Sequence, residues 1–283
     1  MEISAKLVKE LRESTGAGLM ECKKALKECD GNLDNSIKFL KEKGLIKAAE
    51  KSGRATSEGI ICVAVSDDNS QGVALELSCE TDFVARNEDF IKAAEDISKN
   101  VLSSAAGSPG ELPESIQNEL KGLIARLGEN MAIKQLARIT NSNNDCLMTY
   151  IHQGGKIGVL LQLETGDKAS QSKDEFSNLA KDISMHIAAM NPAGLSKDDV
   201  DSKVLDEQKG IFLTQAKESG KPDNIIEKMV EGKMKQFLKE IVLLEQPFVK
   251  EPKTSIQQLL DAEGKKLGDK IALKQFVRFK VGE

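Results

Sequence analysis

The chain contains two copies of one segment, and this internal repeat constrains its fold more than any other feature. The stretch "GVALEL" from Gly72 matches "GVLLQL" from Gly158, and "FIKAAEDIS" from Phe90 matches "FSNLAKDIS" from Phe176, both 86 residues later. Each apolar run predicts a buried strand, and each longer segment after it predicts a helix. A match at one constant offset indicates a single structural unit that occurs twice.

A second pair of matching segments has a larger offset, which reveals an insertion. Residues 115–139, "SIQNELKGLIARLGENMAIKQLARI", match residues 255–279, "SIQQLLDAEGKKLGDKIALKQFVRF", which lie 140 positions later. Each copy therefore continues with another helix, a glycine stop and a final strand. Because this offset exceeds the first by 54 residues, the second copy carries 54 extra residues between about 191 and 254.

The inserted residues have the spacing of helices. Apolar residues recur at threes, fours and sevens in residues 199–218 and 223–244, and "SGKP" separates the two stretches. Two helices of ~20 residues joined by a short turn form an antiparallel hairpin ~30 Å long at 1.5 Å per residue. An apolar seam with charged flanks is typical of a small coiled coil, here expected over about 195–245. The alternative is that the hairpin packs into the core.

The N-terminal residues predict a small helical domain. Residues 4–43 favour three short helices, which break at "TGAG" (15–18) and "DGN" (30–32) and end at Gly44. The "TGAG" stretch lacks both a preceding strand and the G-K-[ST] sequence of a phosphate-binding loop, so a helix–helix turn is the better interpretation. Polar residues 51–59, "KSGRATSEG", predict a linker, or the end of a linker helix, that closes the first domain.

The predicted fold class is α+β, with three parts. A helical head and linker occupy residues 1–55, a first core subdomain occupies 56–140, and a second occupies 141–283. Each core subdomain is expected to be a three-stranded antiparallel sheet with helices, and the helical hairpin belongs to the second subdomain.

The composition disfavours several classes of function. The net charge is −5 and there is no Lys/Arg tract, so direct nucleic-acid binding is not expected. The two histidines, His152 beside a "GG" turn and His186 on a helix face, do not form a catalytic or metal-ligand pattern with the five cysteines. We therefore predict no catalytic residue, no metal and no cofactor; a small enzyme using Cys79 or His152 is the alternative.

The same features predict a cytoplasmic protein without a membrane partner. The five cysteines are odd in number and none forms C-x-x-C, as expected for structural thiols in a reducing compartment. No apolar stretch reaches the ~18 residues that indicate a membrane span. The N-terminus is charged throughout, unlike a secretory signal.

One junction differs between the two copies. "ETDFVARN" (80–87) corresponds to "GDKASQSK" (166–173), so Phe83 corresponds to Ala169. The flanking strand and helix are kept while this junction is not, which suggests that Phe83 serves something outside the repeated unit. The alternative is that Phe83, seven residues before Phe90, extends the apolar face of the helix, with Thr81 or Asp82 as its N-cap.

Five motifs together resemble one family. The segments "LVKELRESTGAGLMECKKAL", "ETDFVARN", "YIHQGGKIGVL", "KMVEGKMKQF" and "QPFVKEP" are similar in order and spacing to bacterial translation elongation factor Ts, from residue 2 to about 282. Some members of that family continue into a helical C-terminal module that follows the final strand, and the family often has Arg at the position of Lys156. Any contact of that module is not expected in this chain.

The resemblance implies a guanine-nucleotide exchange factor for elongation factor Tu, in its GDP-bound and nucleotide-free forms. It also implies a ubiquitin-associated-type head. Residues that would displace magnesium from the GTPase are Thr81, Asp82, Phe83 and Val84. Further partner contacts would be Leu19, Met20, Lys23, Leu127, Gly128, His152 and Val249. Whether the hairpin contacts the partner, forms a dimer or binds another molecule stays open, and a docking scaffold without exchange activity is the second hypothesis.

Overall fold

Two antiparallel three-stranded sheets form the body of the protein. The computed structural model describes residues 3–142 and 144–283. The first sheet has the order β1-β2-β3 and the second the order β4-β5-β8. Their strands are β1 Glu58–Val65, β2 Gln71–Cys79, β3 Met131–Thr140, β4 Asp145–Ile151, β5 Ile157–Thr165 and β8 Ile271–Lys280. The predicted α+β class is confirmed.

The strand registers repeat the offsets of the sequence. Gln71 lies opposite Thr140 in the first sheet, and Ile157, 86 residues later, lies opposite Lys280, 140 residues later. Each middle strand also has an irregularity directly after an equivalent residue, Glu76 or Gln162. The duplication therefore extends to the hydrogen-bond register of the sheets.

Helices cover one face of each sheet and enclose a separate core. The helices of the first unit are α4 Asp82–Ala85, α5 Glu88–Ser103 and α6 Glu114–Leu127, and those of the second are α7 Asp174–Met190 and α10 Ile256–Leu267. The equivalent residues Phe90 and Phe176 are buried in the two cores. Burial of an aromatic side chain contributes on the order of 2–3 kcal/mol, so each copy has its own apolar anchor.

The opposite faces of the two sheets pack on each other. Ala74 and Ile139 of the first sheet meet Leu147 and Leu160 of the second in one apolar cluster. The middle strands are therefore buried on both faces. This explains why their sequences are continuous apolar runs and do not alternate with polar residues.

The head consists of α1 Ala5–Thr15, α2 Leu19–Glu28 and α3 Leu33–Lys51. The prediction that the third helix ends at Gly44 is wrong, because α3 continues through that residue to Lys51. A Cβ atom at Gly44 would lie 3.0 Å from the Cβ of Ala125 in α6. Glycine allows α3 and α6 to approach closely, and this packing compensates for the low helix propensity of glycine.

The insertion folds as two helices, α8 Ser202–Lys217 and α9 Asp223–Ile241, whose apolar residues form a cluster separate from both cores. Phe212 and Phe237 meet edge to face, with ring centroids 6.3 Å apart. Val204 and Ile211, which recur at sevens, are exposed on the outer side. A small sheet of β6 Pro247–Phe248 and β7 Glu251–Ser255 follows, which the sequence pattern did not predict.

Candidate functional site

Phe83 projects from the body of the first unit. Its side chain is 83% exposed, whereas Ala85 in the same four-residue helix is buried and Val84 packs on the first core. The helix α4 ends before α5 begins, because Asn87 caps α5 by accepting a hydrogen bond from the amide of Asp89. The alternative that Phe83 extends the apolar face of α5 is therefore wrong.

Thr81 is the N-cap of α4, one of the two residues that the sequence suggested for this role. Its backbone is extended and its hydroxyl accepts a hydrogen bond from the amide of Val84 at 3.4 Å. Asp82 forms an ion pair with Arg86, 3.3 Å apart, at the surface. An exposed pair of this kind contributes about 0–1 kcal/mol, so the Asp82 carboxylate is held only weakly.

The loop after α6 lies against this turn. Gly128 ends α6 with φ of 82°, a left-handed conformation that favours glycine, and Leu127 packs on the first core. The next residue, Glu129, accepts hydrogen bonds from the amides of Glu80 and Thr81. The structure thus joins two of the predicted segments, Thr81–Val84 and Leu127–Gly128, through a residue that sequence reasoning did not single out.

A signal for Glu129 was present in the repeat. At the offset of 140 it corresponds to Asp269, another carboxylate after the helix-ending glycine. Asp269 likewise accepts a hydrogen bond, from the amide of Asp167 at 2.9 Å. An acidic residue retained at equivalent places in both copies, next to an N-cap, indicates a side chain that binds backbone amides.

The predicted contacts of the head lie at the start of α2. Leu19 and Met20 are exposed, the latter at 73%, and Lys23 is exposed one turn further on. The opposite side of α2 carries Cys22 and Leu26, which are buried in the core of the head. These exposed apolar side chains therefore do not stabilise the head itself.

His152 follows β4 at the turn of the second sheet. Its side chain is exposed, and its Nδ1 lies 3.2 Å from the hydroxyl of Tyr150. Gly155 packs closely on Ile60 of the first sheet, where an added Cβ would approach to 3.2 Å. Lys156 donates to the carboxylate of Glu58, so the turn is tied to the first sheet.

Val249 is exposed beside a buried histidine. His186 lies on α7, as the sequence predicted, and the structure adds that its side chain is fully buried. Its Nδ1 accepts a hydrogen bond from the amide of Val249 at 3.2 Å, and its Nε2 lies 2.9 Å from Oε1 of Gln246. Burial lowers the pKa of His186, which favours the neutral imidazole that this pairing requires.

Cys79 is unsuited to act as a nucleophile. Burial raises the pKa of its thiol to about 12, and the negative charge of Glu129 adds to this effect. The thiolate that carries out nucleophilic chemistry is therefore scarce at neutral pH. Within residues 3–142 and 144–283, no three His, Cys, Asp or Glu side chains are grouped as a metal would require. Nor does any helix in these ranges combine the length and hydrophobicity of a membrane span.

Comparisons with known proteins give a consistent result. The sequence model of a family described as "Elongation factor TS" matches residues 80–283. A protein named Elongation factor Ts from Nitratidesulfovibrio vulgaris (strain DP4) is 43% identical over 283 residues, covering 100% of this chain and 97% of that protein. Proteins of the same name from Clostridium botulinum (strain Alaska E43 / Type E3) and Alkalilimnicola ehrlichii are 45% and 42% identical. They cover 99% and 100% of this chain, and each is itself covered to 93%.

The family match begins at Glu80, directly before the turn that exposes Phe83, and includes β3 of the first sheet, the whole second sheet and the inserted hairpin. The relatives extend the similarity over the helical head. The chain therefore belongs to the elongation factor Ts family.

Proposed function

We propose that this protein is a guanine-nucleotide exchange factor that binds elongation factor Tu and accelerates its release of GDP during translation elongation. Membership of the elongation factor Ts family supports the class of function and the partner. The observation that carries the mechanism is the exposure of Phe83, an aromatic side chain that contributes nothing to its own core.

Exchange of this kind requires no covalent chemistry. A factor that binds the nucleotide-free partner more tightly than the GDP-bound partner must weaken GDP binding by the same factor. A thousandfold weakening corresponds to a coupling free energy of about 4 kcal/mol. Contacts made only in the nucleotide-free complex supply that energy.

In the proposed mechanism, Phe83 inserts into the partner and separates elements that order its magnesium site. Asp82 places a carboxylate close to that site, while Thr81 and Val84 hold the turn by its cap and its contact with the core. A buried aromatic anchor contributes about 2 kcal/mol or more to such an interface. Neither Asp82 nor Phe83 needs to touch the nucleotide.

The remaining contacts would lie on surfaces that the fold leaves exposed, except for Leu127, which is half-buried against the first core. These are the start of α2, the Gly128 loop, the His152 turn and the Val249 hairpin. We assign partner contacts there to Leu19, Met20, Lys23, Leu127, Gly128, His152 and Val249. These contacts distribute the binding free energy over the head and both sheets. Phe83 makes the contact that acts on the magnesium site of the partner.

The test is release of a fluorescent GDP analogue from purified elongation factor Tu, measured by stopped flow. Phe83→Ala should lower the maximal release rate about 30-fold, as expected for loss of about 2 kcal/mol, with unchanged far-UV circular dichroism. Met190→Ala, which removes another exposed apolar side chain, is the matched control and should release GDP at the wild-type rate. A wild-type rate for Phe83→Ala would contradict the mechanism, and binding of the wild-type protein without faster release would favour the scaffold hypothesis.

A further inference from the structure

Glu129 makes three hydrogen bonds to the segment that leads into the Phe83 turn. One carboxylate oxygen accepts from the amides of Glu80 and Thr81, at 3.1 and 3.0 Å, and the other accepts from the hydroxyl of Thr81 at 2.6 Å. Hydrogen bonds to an ionised carboxylate are roughly twice as strong as neutral ones. We call this arrangement the carboxylate clamp.

A reciprocal bond locks the same two segments. The carboxylate of Glu80 accepts a hydrogen bond from the amide of Asn130 at 2.6 Å. The side-chain amide of Asn130 in turn donates to the carbonyl of Arg54 at 2.7 Å. The loop after α6 and the end of β2 therefore hold each other through both of their acidic side chains.

The clamp also strengthens the N-cap of α4. The Thr81 hydroxyl donates to Glu129 and accepts from the amide of Val84. Donation to a carboxylate polarises the hydroxyl and makes its oxygen a better acceptor. A helix of only four residues is not stable by itself, so the position of Phe83 depends on this cap and on the burial of Ala85.

We propose that Glu129 is a positioning residue for nucleotide exchange: it holds the Thr81–Val84 turn in the conformation that presents Phe83 to the partner. This inference rests on the proposed function of Phe83. An exposed aromatic side chain on a disordered turn would lose conformational entropy on binding, whereas a turn ordered in advance avoids that cost. Glu129 thus acts on exchange without touching the partner.

In the second copy, an equivalent carboxylate–amide bond occurs without an exposed aromatic side chain to present. Asp269 binds the amide of Asp167 in the same way, yet the turn that it holds carries Ala169 where the first copy has Phe83. Asp269 therefore provides a matched control. Loss of its carboxylate removes an equivalent bond to the backbone but should leave exchange unchanged.

The experiment combines Glu129→Gln, Phe83→Ala, the double variant and Asp269→Asn in the GDP-release assay. Glu129→Gln removes the negative charge and leaves one acceptor oxygen in place of two, so it should slow maximal release about 10-fold, the value expected for one charge-assisted hydrogen bond. In the Phe83→Ala background the same change should have a much smaller effect, because the ring is gone and only the Asp82 carboxylate is left for the turn to position. Asp269→Asn should remain within about twofold of wild type.

Hydrogen exchange provides an independent readout. In Glu129→Gln the amides of residues 80–84 should exchange faster, while the β2 amides stay protected. Should Glu129→Gln fail to fold, Glu129→Asp keeps the charge on a shorter side chain and should give an intermediate loss of release rate and of amide protection.

Several outcomes would overturn the positioning role. In the GDP-release assay, these are a wild-type rate for a folded Glu129→Gln protein, full multiplication of the Glu129→Gln and Phe83→Ala effects in the double variant, or an equally large loss of rate in Asp269→Asn. In the hydrogen-exchange measurement, it is an unchanged rate of amide exchange at residues 80–84 in Glu129→Gln. Wild-type release by Phe83→Ala would instead overturn the proposed function itself. Slow release by Phe83→Ala with normal release by Glu129→Gln would overturn only the role of Glu129.

Discussion

The two junctions between middle strand and helix use the same backbone support for different surfaces. In the first copy, Thr81 caps α4 and Phe83 stands in solvent. In the second, Asp167 caps a short 3₁₀ turn over Lys168–Ser172, and the exposed residue is Ala169. The support is therefore a property of the repeated fold, and the exposed aromatic ring is an addition to one copy.

A second pair of equivalent residues differs in the interior. Gln162 is buried, lies within hydrogen-bond distance of Asp145, and accepts a hydrogen bond from Gln275. Its counterpart Glu76 is also buried, but one of its carboxylate oxygens has no hydrogen-bond partner within the described chain, and the other accepts only from the amide of Gly282. Burial raises the pKa of Glu76 above its ordinary value. Both copies therefore keep a buried polar side chain at this position of the middle strand, but only the first copy tolerates a carboxylate that lacks a hydrogen-bond partner for one oxygen.

The largest expected effect on stability concerns the buried phenylalanine that both copies share, Phe90 or Phe176. Phe90→Ala and Phe176→Ala each remove an aromatic ring from a core and should lower the free energy of unfolding by about 3–5 kcal/mol. Chemical denaturation with far-UV circular dichroism measures this. The exposed Phe83→Ala is the control and should change stability by no more than about 0.5 kcal/mol. A stable Phe176→Ala protein would show that the second copy does not depend on the shared anchor.

An intermediate effect on stability is expected at the two equivalent buried residues, Glu76 and Gln162. Glu76→Gln removes a buried carboxylate and should raise the free energy of unfolding at pH 7 by about 1 kcal/mol, whereas Gln162→Glu sets two carboxylates together and should lower it by about 2 kcal/mol. Because the folded state raises the pKa of Glu76, its contribution is most favourable at low pH and is lost as pH rises above the ordinary value of 4.5. The pH dependence of unfolding should therefore be flatter in Glu76→Gln between pH 4.5 and 7. An identical slope in both proteins would contradict this account.

The smallest expected effect concerns His186, whose counterpart in the first copy is the exposed residue Asn100. Because folding lowers the pKa of His186, its contribution to stability is present above the ordinary histidine value of 6.5 and is lost as pH falls below it. Protonation would place a hydrogen on the atom that accepts from Val249, so the loss should be below about 1.5 kcal/mol, the net value of one hydrogen bond.

Amide exchange at Val249 and thermal unfolding, measured at pH 7.5 and about 5.5, test this step. His152→Gln leaves His186 as the sole histidine of the chain and should keep the pH effect, while His186→Asn should abolish it. Persistence of the effect in His186→Asn would assign it to carboxylates elsewhere.

Much of the architecture could be predicted because it is encoded locally. The repeat, its two offsets and the size of the insertion follow from matching segments, and the registers at Gln71 and Ile157 agree with them. The prediction at Gly44 failed because a glycine is a weak helix breaker when another helix packs against it. Two points stay predictions. One is the division of the chain into a head and two subdomains at residues 55 and 140, and the other is the likeness of the head to a ubiquitin-associated module.

The site was predictable to a lesser degree. Comparison of the copies singled out Phe83, but periodicity with Phe90 left two environments open, since spacing along a helix specifies a face and does not specify what covers it. The roles of Glu129 and His186 depend on contacts with residues 48 and 63 positions away in the chain, which no local pattern encodes.

By itself, the sequence determined that one α+β unit occurs twice, that the second copy carries a helical insertion, and that the junction at residues 80–87 is specific to the first. Only the tertiary structure decided that the two sheets pack face to face, that His186 is buried, and that Glu129 reaches the end of β2. The reason is physical: hydrophobic periodicity and capping act between near neighbours, whereas burial and carboxylate–amide bonds depend on which distant surfaces meet.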